Sequence, residues 1–240
     1  MYRPIKEWLR ARISRECTLY WFLSNLKKRP IYALFAFIYA AWLTYRAVGR
    51  PFPLVFIFSA NLIRVVVQRH KHASFKVLGR IIIEPFQGGC EPVFISLAEY
   101  SEMIVGGDFI LGGGVKITLG RGAILSIGGR REFSGSGITC NTRVMVEQEV
   151  VIGCDTIISW GCFITDSDWH YIKGSTRISP VLIGNRIWVG HDVSILKGVT
   201  IKDGCIVGSK SLLINASYDE SQLLIGAPAR AVRQNVFWER

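Results

Sequence analysis

What the chain lacks narrows its chemistry first. Its six cysteines show no C-x-x-C or other paired spacing, so a cysteine-ligated zinc module is excluded. They read as reduced core thiols of a cytoplasmic protein rather than a disulfide framework. Histidine is scarce: four in 240 residues, at 70, 72, 170 and 191. No P-loop or dinucleotide fingerprint is present; Gly112-Gly113-Gly114 is a corner, not a phosphate cradle. Acidic residues are almost missing from the first third. Residues 1–80 hold 15 Lys/Arg against only Glu7 and Glu16, so the formal charge of +11 belongs to this segment. No nucleic-acid motif accompanies that charge. Nor is there an early apolar stretch with a small-x-small cleavage site, so a secretory signal is not expected.

The basic segment also carries two uncharged runs, Ile31 to Tyr45 and Pro51 to Ile63. Both fall short of the ~20 residues of a spanning helix. Residues 1–75 are therefore expected to be a helical, apolar and basic extension on an anionic membrane surface, as interfacial or re-entrant helices. A buried helical pair packing on the remainder, or on another subunit, is the alternative.

From about Lys76 the pattern changes. Ile183, Val189, Ile195, Ile201, Val207 and Leu213 recur every six residues. Val146, Ile152, Ile158 and Ile164 keep the same period, which fits neither a helix nor simple strand alternation. Six is the period of a hexapeptide β-helix, in which each short strand sends one side chain inward. The residue four further on should also point inward near a corner: Val150, Thr156, Cys162, Ile187, Val193, Val199, Cys205 and Ser211. The expected domain spans 76–225, with a tail at 226–240. Between the ladders, from Ile164 to Ile183, the step is 19 residues. The loop at 165–182 that fills it contains Asp166-Ser167-Asp168-Trp169-His170.

Three stretches carry a family resemblance: the ladder, the run from Ile187-Trp188-Val189-Gly190-His191 to Gly208-Ser209-Lys210, and Ile225-Gly226-Ala227-Pro228-Ala229-Arg230. Together they resemble the hexapeptide-repeat, acetyl-CoA-dependent acyltransferases, of the sugar and polysaccharide O-acetyltransferase type. The resemblance implies a mainly β fold, a left-handed parallel β-helix, usually a homotrimer with sites between adjacent prisms. It makes His170 the general base, with Asp166 or Asp168 orienting its ring; spacing does not choose between them. Acetyl-CoA would lie along the coils, near Trp188, Gly190, Gly208, Ser209, Lys210 and Arg230. Trp188 could equally pack on a neighbouring subunit, and each cation could simply be solvated. No metal is expected, since His170 and His191 alone cannot form the three-histidine zinc site found elsewhere on this fold. The acceptor would be a sugar hydroxyl in a capsule, O-antigen or exopolysaccharide precursor, met at the cytoplasmic face of the inner membrane. An N-acyltransferase acting on a nucleotide-linked amino sugar, or an inactive structural β-helix, is the alternative.

Overall fold

The computed structural model describes residues 23, 25–59, 62–86, 91–129 and 136–239. The first part of the expected helical extension, residues 1–22, lies outside them. The chain winds as a left-handed parallel β-helix of three flat faces. Face 1 begins with β1 (Phe56–Phe58), face 2 with β2 (Val65–Arg69) and face 3 with β3 (Ser74–Val77). Each turn of chain adds one strand to each face in the same order, so every connection runs from face 1 to 2 to 3 and back. Among the described residues the strands of the three faces pair in parallel, except that Ala229–Arg233 folds back antiparallel on Leu223–Gly226 at the end of face 1.

The ladder residues meet in register. Ile158 lies beside Val189 and Val189 beside Val207; Ile164 lies beside Ile195 and Ile195 beside Leu213. Both ladders and all eight corner positions are buried. Removing each Ile, Val or Leu from water contributes about 1.5–3 kcal/mol before ordering entropy is subtracted. The irregular step at Ile164 breaks nothing, because Ile183 resumes beside Ile152 on face 3. The extra chain, residues 166–180, is extruded at the edge between faces 2 and 3, slightly shorter than the expected loop because strands take up Thr165, Val181 and Leu182.

Two expectations are corrected. Only the first apolar run is helical, as α1 (Pro30–Val48). The second is strand: Leu54, Val55, Phe56, Ile57 and Phe58 are buried, and β1 pairs with Ile81–Glu84. Proline at 51 and 53 removes two helical N–H donors, and the β-branched and aromatic residues that follow suit a core strand. The β-helix therefore starts near residue 55, not 76. At the other end, the expected tail at 226–240 is partly strand, since Ala229–Arg233 pairs on face 1.

α1 packs across β1, β2 and β3 together, closing the end of the prism. Its inward face is small: Ala33, Ala36, Ala40, Leu43, Thr44 and Ala47. Side chains tie it to the first coil. The Tyr39 hydroxyl accepts from the Val65 N–H (2.8 Å) and donates to the Val65 carbonyl (3.3 Å), and Thr44 Oγ1 accepts from the Val55 N–H (3.0 Å). Gly49, with φ 81°, ends the helix in the left-handed conformation that favours glycine.

Candidate active site

The loop at 166–180 has a rigid base and an open tip. At the base, Ser167 and Ile178 form an antiparallel bridge, the Asp168 N–H donates to the Arg177 carbonyl, and the Ser179 N–H donates to the Asp166 carbonyl. Two ion pairs brace it against neighbouring coils. Arg177 Nη1 lies 2.6 and 2.7 Å from the two oxygens of Glu147. Lys197 Nζ lies 2.6 Å from Asp168 Oδ2, and it also donates to Ser175 Oγ and the Thr176 carbonyl. The Ser167 hydroxyl donates to Glu147 as well. Burial alone raises the Glu147 pKa, but the bonds from Ser167 and Arg177 outweigh it, and the carboxyl is held below its ordinary value. At the tip, Trp169, His170, Tyr171 and Ile172 are exposed, and Trp169 adopts φ 63°.

The structure separates the two aspartates. Asp166 is fully buried and accepts the backbone N–H groups of Glu147, Gln148 and Glu149 at 2.8, 2.6 and 2.7 Å. It therefore caps the corner of the preceding coil instead of orienting His170. Asp168 is engaged by Lys197. Among the described residues neither aspartate bonds to the His170 ring.

The expected cofactor residues gather elsewhere. Trp188, Gly190 and Gly208 lie on face 1 or its end, Ser209 and Lys210 at the edge between faces 1 and 2, and Arg230 on the antiparallel strand. Trp188 is half exposed on this face. The glycines have a packing reason of their own. A Cβ at Gly190 would lie 2.7 Å from Ser209 N and Oγ, and one at Gly208 would lie 3.0 Å from Ile225 Cγ1. Close stacking of the next coil, not room for pantetheine, accounts for both. Lys210 and Arg230 are exposed.

Sequence reasoning missed what surrounds this strip. The Trp238 ring sits 6.3 Å from that of Trp188, and its indole N–H donates to the Arg186 carbonyl at 2.9 Å. Arg186 lies over the Phe237 ring. The tail thus covers the edge between faces 3 and 1, above a cleft of about 270 Å³. His191 stacks on Trp160 at 5.1 Å, with the two rings nearly parallel, at the edge between faces 1 and 2. A larger cleft, about 730 Å³ and lined by Glu91, Phe94, Lys116, Asn141 and Arg143, continues along that edge toward the N-terminus. The aromatic pair Phe237-Trp238 was the available signal for the tail; the outward stack had none, because it depends on coil register.

A triangular prism sets these parts apart. The loop leaves the edge shared by faces 2 and 3, which lies opposite face 1 and Trp188. His170 and His191 likewise stand on different edges. Among the described residues one group of metal-ligand types comes together: His70, His72 and Glu99, at the edge between β2 and β3. Glu99 already pairs with Arg121, and His72 stacks on Tyr100.

No family model matches the chain. Over 156 residues it is 29% identical to an Escherichia coli K12 protein provisionally named lipopolysaccharide biosynthesis O-acetyl transferase WbbJ, covering 56% of this chain and 75% of that one. A Mycobacterium tuberculosis protein provisionally named an acetyltransferase is 36% identical over 38% of this chain and 33% of its own length. The colanic acid biosynthesis acetyltransferase WcaF of Escherichia coli K12, also provisionally named, is 33% identical over 37% of this chain and 49% of its own length. The chain thus spans half or less of the last two relatives. Among solved structures, the polysialic-acid-specific acetyltransferase NeuO is similar at a TM-score of 0.46 and 21% identity, over 73% of this chain and 89% of that one.

Proposed function

We infer that this chain is a hexapeptide-repeat O-acetyltransferase, moving an acetyl group from acetyl-CoA to a sugar hydroxyl of a surface-glycan precursor. The observation that carries the reading is the loop at 166–180: an insertion between two coils of the prism, braced at its base by two ion pairs, with a histidine at its exposed tip. The sequence similarity to WbbJ and WcaF supports acetyl transfer to a glycan.

The chemistry needs one base. A sugar hydroxyl is a weak nucleophile, whereas a thioester is already activated. His170 accepts the hydroxyl proton as its oxygen attacks the thioester carbonyl. The tetrahedral oxyanion then collapses, the C–S bond breaks, and the proton passes from the imidazolium to the departing thiolate. A backbone N–H suffices to steady the oxyanion. No covalent acyl-enzyme is required. Asp168 acts on His170 indirectly, by fixing the loop through Lys197. CoA lies along the coils at face 1, with Trp188 beside the pantetheine and Ser209, Lys210 and Arg230 as partners for polar and phosphate groups.

His170 and Trp188 stand on opposite sides of one prism. A working site therefore takes the loop of one copy and face 1 of the next, which favours a homotrimer. The chain works as a peripheral protein at the cytoplasmic face of the inner membrane, where such glycans are assembled on lipid.

The test is release of free CoA thiol from acetyl-CoA in the presence of a glycan acceptor. His170→Ala should lower the rate about 10²–10⁴-fold without changing thermal stability. Undiminished activity in that variant would remove His170 from the reaction.

A further inference from the structure

α1 is inverted relative to a helix of a water-soluble domain. Such a helix buries its bulky apolar residues and turns small or polar ones outward. Here alanines face the prism, while Ile31, Leu34, Phe35, Ile38, Trp42 and Tyr45 face out, each more than half exposed. Their spacing of three and four places all six on one stripe. Phe52, just past the helix, adds to the patch. Exposed Lys27, Lys28 and Arg29 border one end of the stripe, and Arg46 and Arg50 the other. No Asp or Glu occurs between Glu16 and Glu84.

We propose that the outer face of α1 lies in the plane of an anionic bilayer surface, and that docking there stands the prism upright on the membrane. Apolar side chains with a border of cations and aromatic Trp42 and Tyr45 match the acyl–headgroup boundary. A second copy is disfavoured as occupant, because pairing two such faces would bring like charges together. A spanning pose is disfavoured too: the alanine face and its hydrogen bonds hold α1 flat across the end of the prism.

The upright pose sets a height. The strand that leads into the His170 loop is fifth on face 2, four spacings from β2. At about 4.8 Å per spacing, plus about 10 Å for the helix, the loop stands ~30 Å above the bilayer. Taking that loop as the active site, as proposed above, the modified sugar is one held well away from the lipid anchor.

The test uses the full chain and vesicles of phosphatidylglycerol mixed with phosphatidylcholine. Flotation should carry the protein with these vesicles and not with phosphatidylcholine alone. Phe35→Glu with Trp42→Glu should weaken binding at least roughly tenfold, as should Arg46→Glu with Arg50→Glu. Unchanged binding in both double variants would overturn the docking face. A shift of the outer-face variant to a smaller oligomer, with vesicle binding intact, would identify a second copy as the occupant instead. Resistance to alkaline carbonate washing would indicate a spanning helix and overturn the in-plane pose. Neutron reflectometry on a supported anionic bilayer should give a protein layer ~48 Å thick, eight strand spacings on face 1 plus the helix; a markedly thinner layer means the prism lies on its side. With no vesicles present, CoA release with a soluble acceptor involves no docking, so the outer-face variants should retain it even if the catalytic reading and the docking face part company.

Discussion

Asp166 and Asp168 lie two residues apart and are predicted to fail differently. Asp166→Asn keeps the shape but loses the charge that accepts three backbone N–H groups in a buried corner. It should cost about 1–3 kcal/mol of stability, read as a lower thermal midpoint, with activity falling only as folded protein is lost. Asp168→Asn and Lys197→Met should leave the midpoint nearly unchanged and lower kcat by loosening the loop. If the two classes of variant behaved alike, the division of roles would be wrong. Cys162 belongs at this scale too: burial pushes its thiol up to about 11, despite bonds from nearby N–H and hydroxyl groups. It should resist alkylation at neutral pH in the native protein and react only on unfolding. The sequence made Cys162 legible as a core thiol, because its place in the six-residue pattern is inward. It did not make Asp166 legible, because the three N–H groups it caps lie on a neighbouring coil, nearly twenty residues away in the chain.

Among elements, the loop depends on pH through Glu147. Its folded pKa is depressed, so the bracing it gives is present above the unfolded carboxylate value and lost as pH falls through the lower, folded value. Hydrogen exchange of residues 166–180 should accelerate on acidification before the coils themselves open. Glu147→Gln should remove that dependence. At the edge between faces 1 and 2, Gly190→Ala places a Cβ against the backbone and hydroxyl of Ser209. It should destabilise by about 1–3 kcal/mol, seen in denaturant midpoints, even in the absence of CoA. The clean ladders gave these elements away, since every ladder residue from Val146 to Leu213 fell inside the prism. The first coil stayed hidden because β1, β2 and β3 are joined by steps with no common period, and an apolar run bounded by prolines reads equally as a buried helix.

At the scale of the whole molecule, α1 closes the first end of the stack across all three faces, and the antiparallel strand Ala229–Arg233 covers the last parallel strand of face 1. Removing residues 1–49 should expose β1, β2 and β3 and produce aggregates, detected by light scattering, instead of a well-behaved truncated enzyme. Removing residues 1–72 is harsher, because it takes β1 and β2 with it. Division of the site between copies has its own test. Co-expressed His170→Ala and Trp188→Ala chains, each inactive alone, should regain activity at about a quarter of the interfaces of randomly mixed trimers. No recovery would place the whole site in one chain.

With the site divided between copies as proposed, the separation of the loop edge from face 1 would also make reaction rate a matter of mass action. A solitary chain would hold a base with no thioester beside it on one side and a thioester with no base on the other. Turnover per chain would then fall on dilution, following assembly and not substrate binding, and excess acetyl-CoA would not restore it. A cell could set this activity through the local density of the chain alone, and gathering copies on a surface would raise it with no change in any residue.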